Sequence, residues 1–537
     1  MRLRYALYWL ALLFFGVGYL AILPPFEGFD ETAHYSSIRQ IADTGVIPVS
    51  GASFLDREAA DYTGPMPYGS LNPPFDRGLV YSTFFSRPEL SADYRQTYWQ
   101  AHPSVYRASQ QPNWEAQHPP LYYGLMALLE RATERLSFVE RIFILRLVSY
   151  LLAVAGVGLG LAAAEPMGAF PESDAARVGF LIYPIALPMF FPEFTRIGND
   201  ALCLFLIGAL AWLWSKWLQQ QGNRKLALAI GVVLGLGLLT KAFFVPLILS
   251  LVGFLLVRHF ASAGRAPATA PVCPSLALLL APAILIGGAW YAYQLWAYGI
   301  PLGDFDTIHL AETGGFIANL KLHFSLAAFG QGLAVAFVTY VWAGTWSLVR
   351  LPDLFYVPLL LLVVSCFAAF GRWLKSRPFD NAHWLCAWLL LTFGIGIVYH
   401  VLVGIAAYGN GNTPGWYFHI LMPWAAPALG IGLSTIMRHA KMRMLARGLL
   451  LYAVVFQLAA IWAQVALFTG CASKGVNKQY VFTGHAFCLD QVPQLYDRLS
   501  VLARPNLALA GFGVGFLCML LLAAALRTTV RIGPTHP

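Results

Sequence analysis

Apolar residues gather along this chain into runs of roughly 20 positions, the length that crosses a bilayer as a helix. They cover roughly residues 5–24, 142–163, 177–192, 200–218, 226–240, 242–257, 274–297, 354–371, 384–405, 417–437, 447–468 and 506–526. This pattern predicts an all-α integral membrane protein with about twelve transmembrane helices. A further apolar stretch, "LHFSLAAFGQGLAVAFVTYVW" at 322–342, is also long enough to cross. If it crossed, every later basic loop would change sides. It is therefore read as re-entrant or as lying along the outer interface.

The polar segments between these runs are very unequal. Residues 25–140 form one large segment, expected to be mainly helical. Residues 298–353 form a second, with the interfacial stretch, and 469–505 a third. The loops on the other side are short. They leave no room for a cytosolic catalytic domain, and no Walker-type phosphate loop occurs. Gly156, Gly158 and Gly160 lie inside an apolar run, where small residues serve helix packing. Any chemistry belongs to the outer face.

Charge assigns the faces. Lys216, Arg224 and Lys225, then Arg258 and Arg265, then Arg372, Lys375 and Arg377, then Arg438, Lys441, Arg443 and Arg447 fall in alternate loops, and Arg527 and Arg531 in the tail. With the N-terminus inside, all of them are cytoplasmic, as the positive-inside bias requires. The opening "MRLRYALYWLALLFFGVGYLAIL" starts like a secretory signal. Its apolar stretch is too long for one and no A-x-A site follows, so it reads as an uncleaved first helix.

Composition agrees. The chain has 537 residues, of which 58% are hydrophobic, 15% aromatic and 11% charged, against about 25% charged in soluble chains. Its mean hydropathy is +0.61. The net charge of +9 is the charge of the cytoplasmic loops and not a nucleic-acid footprint. Five of the seven cysteines, Cys203, Cys273, Cys366, Cys386 and Cys518, lie in or beside apolar runs. Cys471 and Cys488 share one outer loop, where the compartment is oxidising, and a disulfide is expected between them.

Five polar strings stand out. "FEGFDETAHY", residues 26–35, places Asp30, Glu31 and His34 just beyond the first apolar run. A helix is expected from near Asp30 to Gly45, with Asp30 as N-cap and Gly45 as the residue past its end. Ala33, Ile38, Ile41 and Ala42 are expected to face the membrane surface. Asp30 and His34 share a face. One reading makes them a cap and a surface histidine. The other makes Asp30 a general base at the membrane boundary, with His34 orienting it or a substrate. Two such residues are too few for a metal site. "QHPPLYYG", residues 117–124, offers His118 and Tyr122, either as the entry to a helix or as the lining of a sugar site. "FTRIGNDAL", residues 194–202, sets Arg196, Asn199 and Asp200 in a tight outer turn. Asp200 is a candidate helix cap, and Arg196 is expected to stand unpaired. "GLLTKAFFVP", residues 237–246, places Lys241 between two apolar runs. A cation there calls for a partner, either an acid or a lipid phosphate, and phosphate is the preferred reading. "TPGWYFHILMP", residues 413–423, puts His419 inside an apolar run, as a core group or as a contact to phosphate or acceptor.

In this order, "PPFEGFDETAHY", "HPPLYY", "RIGNDAL" and "GLLTK" resemble the GT-C superfamily, which includes protein O-mannosyltransferases and the lipid A aminoarabinose transferase. The resemblance covers roughly residues 1–260 by motif and the remainder by topology. It implies a bundle of membrane helices with a large first outer loop. It also implies a multi-pass enzyme of the bacterial inner membrane, active at the outer face. That enzyme would transfer sugar from a polyprenyl phosphate carrier to an acceptor glycan, lipid or protein, with inversion. An acid in the first outer loop is the base of that family, here Asp30 with Glu31 beside it, and a cation matching Lys241 contacts the carrier phosphate. Two features depart from the pattern. "GWYF" with His419 stands where an arginine beside a tyrosine is usual, and the large loop has no Asp-x-Asp pair. No cofactor is called for, and the place of a divalent cation is left open.

The chemistry is coherent without the resemblance. Nucleotide sugars are cytosolic, so an outer-face transferase needs a lipid-borne donor. Displacement at the anomeric carbon needs a base for the acceptor hydroxyl and cations for the departing phosphate. The alternatives are a transporter or flippase of a lipid-linked glycan, for which internal repeats and broken charged helices would speak, and a polymerase or ligase using a lipid-pyrophosphate donor.

Overall fold

The computed structural model describes residues 2–65, 79–100, 104–164, 172–220, 223–262, 272–299, 305–377, 382–475 and 479–530. The basic loop residues Arg265 and Arg531 and the side chain of Cys273 lie outside this set. Helix dominates, and every expected apolar run falls on a helix. Eight helices among the described residues are long and apolar enough to cross a membrane. The other four expected runs lie on the helices Arg2–Ile22, which we label α1, Glu172–Ala186, Arg224–Leu238 and Phe244–Ser262.

The stretch at 322–342 is not one straight helix. Phe316–His323 and Leu326–Val341 meet at 104°. Counted as one span, the pair would make nine. The break has a local cause. The Ser325 side chain accepts from Ala328 N at 3.0 Å, which caps the second helix.

The first and last helices lie side by side. Phe15 and Tyr19 of α1 meet Phe512 of the final helix, Pro505–Val530, with ring centres 5.3 and 5.5 Å apart. Interlocked rings of this kind supply the packing that lipid cannot.

The large segment that follows α1 packs against the bundle. It is not purely helical, because β1 (Phe54–Asp56) pairs antiparallel with β2 (Ala108–Pro112). Its principal helix is α2 (Glu31–Thr44). Ala33, Ile38 and Ala42 are buried inside the protein and do not face a membrane surface as expected. They pack under α3 (Leu121–Ala132) and β1. Arg39 holds this layer together, bonding Asp56 and Glu130 at 3.2 Å each and pairing with Asp43 at 3.3 Å. Arg141, on the helix Phe138–Ala164 (α4), closes on the same Glu130. Buried charges placed in this way fix geometry more than they add stability.

In the third outer segment Cys471 and Cys488 are disulfide-bonded, with Cα atoms 6.3 Å apart. Cys203, Cys366, Cys386 and Cys518 are buried free thiols.

Candidate active site

The chain leaves α1 through a strained turn. Phe26 and Asp30 both adopt positive φ, 64° and 55°. Asp tolerates that region, but a bulky Phe there is a genuine outlier and costs about 1–3 kcal/mol. Packing holds Phe26 in place, with the rings of Tyr62, Phe138 and Tyr35 at 5.2, 5.6 and 6.0 Å. Glu27 anchors the same turn. Its buried carboxylate accepts from Tyr81 Oη at 2.5 Å, Thr345 Oγ1 at 2.5 Å and Ser347 Oγ at 2.8 Å. The segment beyond α1 is thereby tied both to the first outer loop and to the second.

Asp30 and Glu31 follow and have opposite fates. Glu31 is buried and saturated. Arg146 of α4 meets it through Nε at 2.7 Å and Nη2 at 2.5 Å, and the backbone N–H groups of Ile197 and Gly28 donate to it at 3.0 and 3.3 Å. Arg146 also donates to the carbonyls of Leu23 and Pro24. Glu31 is thus the clasp between the exit of α1, α4 and the turn at 195–199. Asp30 is partly exposed. It occupies the N-cap position of α2, but its side chain makes no capping bond, because the left-handed backbone turns it away. Its Oδ1 instead accepts the indole N–H of Trp114 at 2.8 Å. At the other end Gly45, at φ 72°, closes α2 with its N–H on Ile41 O.

His34 does not orient Asp30 through its ring. Its Nδ1 lies 2.8 Å from Tyr123 Oη and its Nε2 3.8 Å from Glu115. His118 also turns to Glu115, with Nε2 at 2.6 Å from Oε2. The strap Asn113–Glu115 therefore grips α2 at successive residues. Asn113 bonds Ala33 O and Ser37 Oγ, Trp114 bonds Asp30, and Glu115 faces both histidines.

This placement sets the protonation states. Burial, together with the charge of Glu115, pushes the Asp30 carboxyl up to about 7, against Arg196, the Trp114 bond and Lys241. Burial alone would raise Glu115 as well, but His118 and His34 outweigh it and hold Glu115 at about 2. Burial pushes His34 down to about 3, so its imidazole is neutral. Two nearby carboxylates with protonation ranges driven apart are the pattern of an acid–base centre.

The cations are not free. Arg196, expected to stand unpaired, reaches Glu193 at 2.7 Å, Asp200 at 3.0 Å and Phe29 O at 3.0 Å. Lys241, for which lipid phosphate was the preferred partner, donates to both oxygens of Asp200 at 2.8 Å and lies 4.9 and 5.1 Å from the ring centres of Phe243 and Tyr417. A buried cation in a dry protein needs its counter-charge at folding, and Asp200 supplies it. Asp200 opens the helix Asp200–Gln219 without capping it. Asn199 donates weakly to Thr240 O at 3.4 Å, and its buried Oδ1 has no hydrogen-bond partner. Burial pushes Glu193 up to about 8, with Arg196 pulling the other way.

Two further expectations change. Tyr122 is buried, and its hydroxyl sits 2.8 Å from Ser149 Oγ and accepts from Gly198 N at 3.0 Å. His419 is a satisfied core residue, between Tyr183 Oη at 3.2 Å and Tyr340 O at 3.0 Å. Among the described residues no group of three or more His, Cys, Asp or Glu is arranged to hold a metal ion.

The structure thus brings together Asp30, His34, His118, Arg196, Asp200 and Lys241, and adds Trp114, Glu115, Tyr123 and Glu193, which sequence reasoning missed. Glu115 had a signal, since it stands three residues before a histidine already singled out.

The chain was compared with known proteins. A family model described as "Predicted membrane protein (DUF2142)" matches residues 13–410. No curated protein matches by sequence. Among solved structures, the chain is similar to ArnT from Cupriavidus metallidurans bound to undecaprenyl phosphate, at 13% identity and a TM-score of 0.41, over 96% of this chain and 77% of that one. It is also similar to the oligosaccharyltransferase AglB from Archaeoglobus fulgidus in complex with an inhibitory peptide and a dolichol-phosphate, at 12% identity and a TM-score of 0.39. That match covers 94% of this chain and 60% of the other.

Proposed function

The chain belongs to the DUF2142 family of predicted membrane proteins, and from that premise we propose that it is a glycosyltransferase of the GT-C type. It moves a sugar from a polyprenyl phosphate carrier to an acceptor hydroxyl at the extracytoplasmic face of a bacterial cytoplasmic membrane. The observation that carries this reading is Asp30, a partly exposed carboxylate beside fully clamped Glu31, held through one oxygen by Trp114.

In the proposed reaction Asp30 takes the acceptor's hydroxyl proton. The acceptor oxygen bonds the anomeric carbon as the bond from that carbon to the carrier phosphate breaks, so the sugar's configuration inverts. The electron pair leaves with the phosphate. Trp114 occupies Oδ1 and directs Oδ2 to the acceptor. Ionised Glu115 keeps Asp30 basic near neutral pH, where a general base works best. Arg196 and Lys241 face the departing phosphate. Both are braced by the one carboxylate of Asp200, at 3.0 and 2.8 Å, and burial raises the carboxyl of Glu193 beside Arg196. Lys241 is held in its charged form because Asp200 more than offsets its burial.

The test is transfer of radiolabelled sugar from a synthetic polyprenyl-phosphate donor by purified protein. Turnover in wild type and loss in Asp30→Asn support the reading. Turnover only with a pyrophosphate donor assigns a polymerase or ligase. Transbilayer movement of the lipid without transfer assigns a flippase.

A further inference from the structure

Arg504 stands one residue before the last helix begins, at the outer boundary by the charge pattern of the loops. Its backbone N–H donates to Ala21 O at 2.9 Å, which ties it to the end of α1. Its guanidinium carbon lies 4.6 Å from the ring centre of Phe143 and 5.4 Å from that of Trp99. The Trp99 indole is itself fixed, donating to Val501 O at 2.7 Å. The guanidinium is therefore positioned by two rings, and among the described residues it has no counter-charge. Among the described residues no carboxylate pairs with Arg504, and its buried Nε makes no hydrogen bond. The fully buried arginines Arg39, Arg141, Arg146 and Arg196 are all paired with acids.

Arg504 lines a small crevice between the end of α1, the start of α4 and residues 502–504 just before the last helix. Leu20, Ala21, Pro25, Val139 and Ile142 form its apolar wall. Arg146 lines it too but is turned to Glu31 and to the carbonyls of Leu23 and Pro24. An outer-side cation runs against the insertion bias. It is costly in an apolar surround unless an anion meets it. Apolar walls below a planar, unpaired guanidinium suit one ligand chemistry, an acyl or prenyl chain bearing a phosphate, which arginine binds with paired N–H donors.

We propose that Arg504, braced by Trp99 and Phe143, is the anchoring cation of a lipid-phosphate site in this crevice. The inference does not rest on the catalytic reading, since no residue of the Asp30 cluster enters it. The phosphate could come from a phospholipid head group or from a lipid carrier.

Native mass spectrometry of the full chain released from nanodiscs decides this. The probes are phosphatidylglycerol, undecaprenyl phosphate and, as a phosphate-free control, diacylglycerol. Wild type is expected to retain the phosphate lipids over diacylglycerol. Arg504→Gln is expected to lose about tenfold or more of that preference, the loss of a charge-assisted hydrogen bond. Arg504→Lys, which keeps the charge and loses the planar fork, is expected to fall between. Loss for one phosphate lipid alone identifies the source, and loss for both makes the site general. If wild type shows no preference over diacylglycerol, the proposal is overturned even where Arg504→Gln does not fold. Undiminished retention by a folded Arg504→Gln overturns it as well.

Discussion

Trp114 gives its indole N–H to Oδ1 of Asp30 at 2.8 Å, across 84 residues of sequence. The bond replaces the helix-capping bond that Asp30 would otherwise make, and it separates Asp30 from its neighbour in kind. Asp30→Asn is expected to leave a folded, donor-binding protein with turnover reduced by about 10²–10⁴-fold, the usual range for a general base. Glu31→Gln is expected to fail differently. It strands the buried Arg146 and costs about 3–5 kcal/mol of stability, seen as a lowered thermal midpoint in detergent. Near-normal turnover in Asp30→Asn with a stable, inactive Glu31→Gln would move the base to Glu31.

The rate of transfer should follow the ionisation of Asp30. Its carboxyl sits at about 7 because of burial and the charge of Glu115. The base is active when deprotonated, so activity rises as pH rises through that value and is lost below it. Glu115→Gln removes a negative charge that opposes deprotonation. The acid limb of the kcat profile should then move to lower pH. A limb that stays in place would show that Glu115 is only a partner for His118.

Lys241 and Asp200 offer a third test. Lys241→Ala is expected to weaken binding of the polyprenyl-phosphate donor by about tenfold or more, whereas Lys241→Arg retains most of it. Donor affinity that is unchanged in a folded Lys241→Ala would make the residue a structural counter-ion for Asp200 alone.

Topology follows from the basic loops. Reporter fusions at residues 220, 260, 375 and 440 are expected to read cytoplasmic. The 104° bend between Phe316–His323 and Leu326–Val341 allows the chain to enter and return on one side. External readings at 375 and 440 would make that pair a full crossing.

The Cys471–Cys488 bond closes a loop with a sequence separation of 17. In the chain-entropy account such a closure is worth roughly 3 kcal/mol. Thiol labelling of unreduced, unfolded protein should find neither cysteine free, and reduction should lower the thermal midpoint.

Much of this architecture is written in local pattern. Each apolar run became a helix, and α2 runs from Glu31 to Thr44 between the residues read as its boundaries, Asp30 and Gly45. These are properties of a few neighbouring residues. What sequence could not show is pairing at a distance. Lys241 and Asp200 are 41 residues apart and Glu31 and Arg146 are 115 apart, and nothing in either string announces its mate. The same gap explains Arg196, whose partners Glu193 and Asp200 lie three and four residues away. The spacing was legible, but the turn that folds both acids onto one guanidinium was not. The apolar side of α2 misled for a related reason. A small-residue face fits a lipid surface and a protein surface equally well, and only the burial of Ala33, Ile38 and Ala42 distinguishes them.

Glu27 carries a consequence for how the protein is made. Its carboxylate is completed by Thr345 and Ser347, which follow it by 318 and 320 residues. At synthesis rates of about 5–20 residues per second, those hydroxyls are made roughly 15–60 s after Glu27 is. Throughout that interval the carboxylate has only water and Tyr81 to satisfy it, and the turn bearing Asp30 lacks its second tether. The segment that emerges first is therefore among the last to set. The ribosome must deliver the second outer loop before the nascent chain can offer an organised reaction centre to the lipid around it.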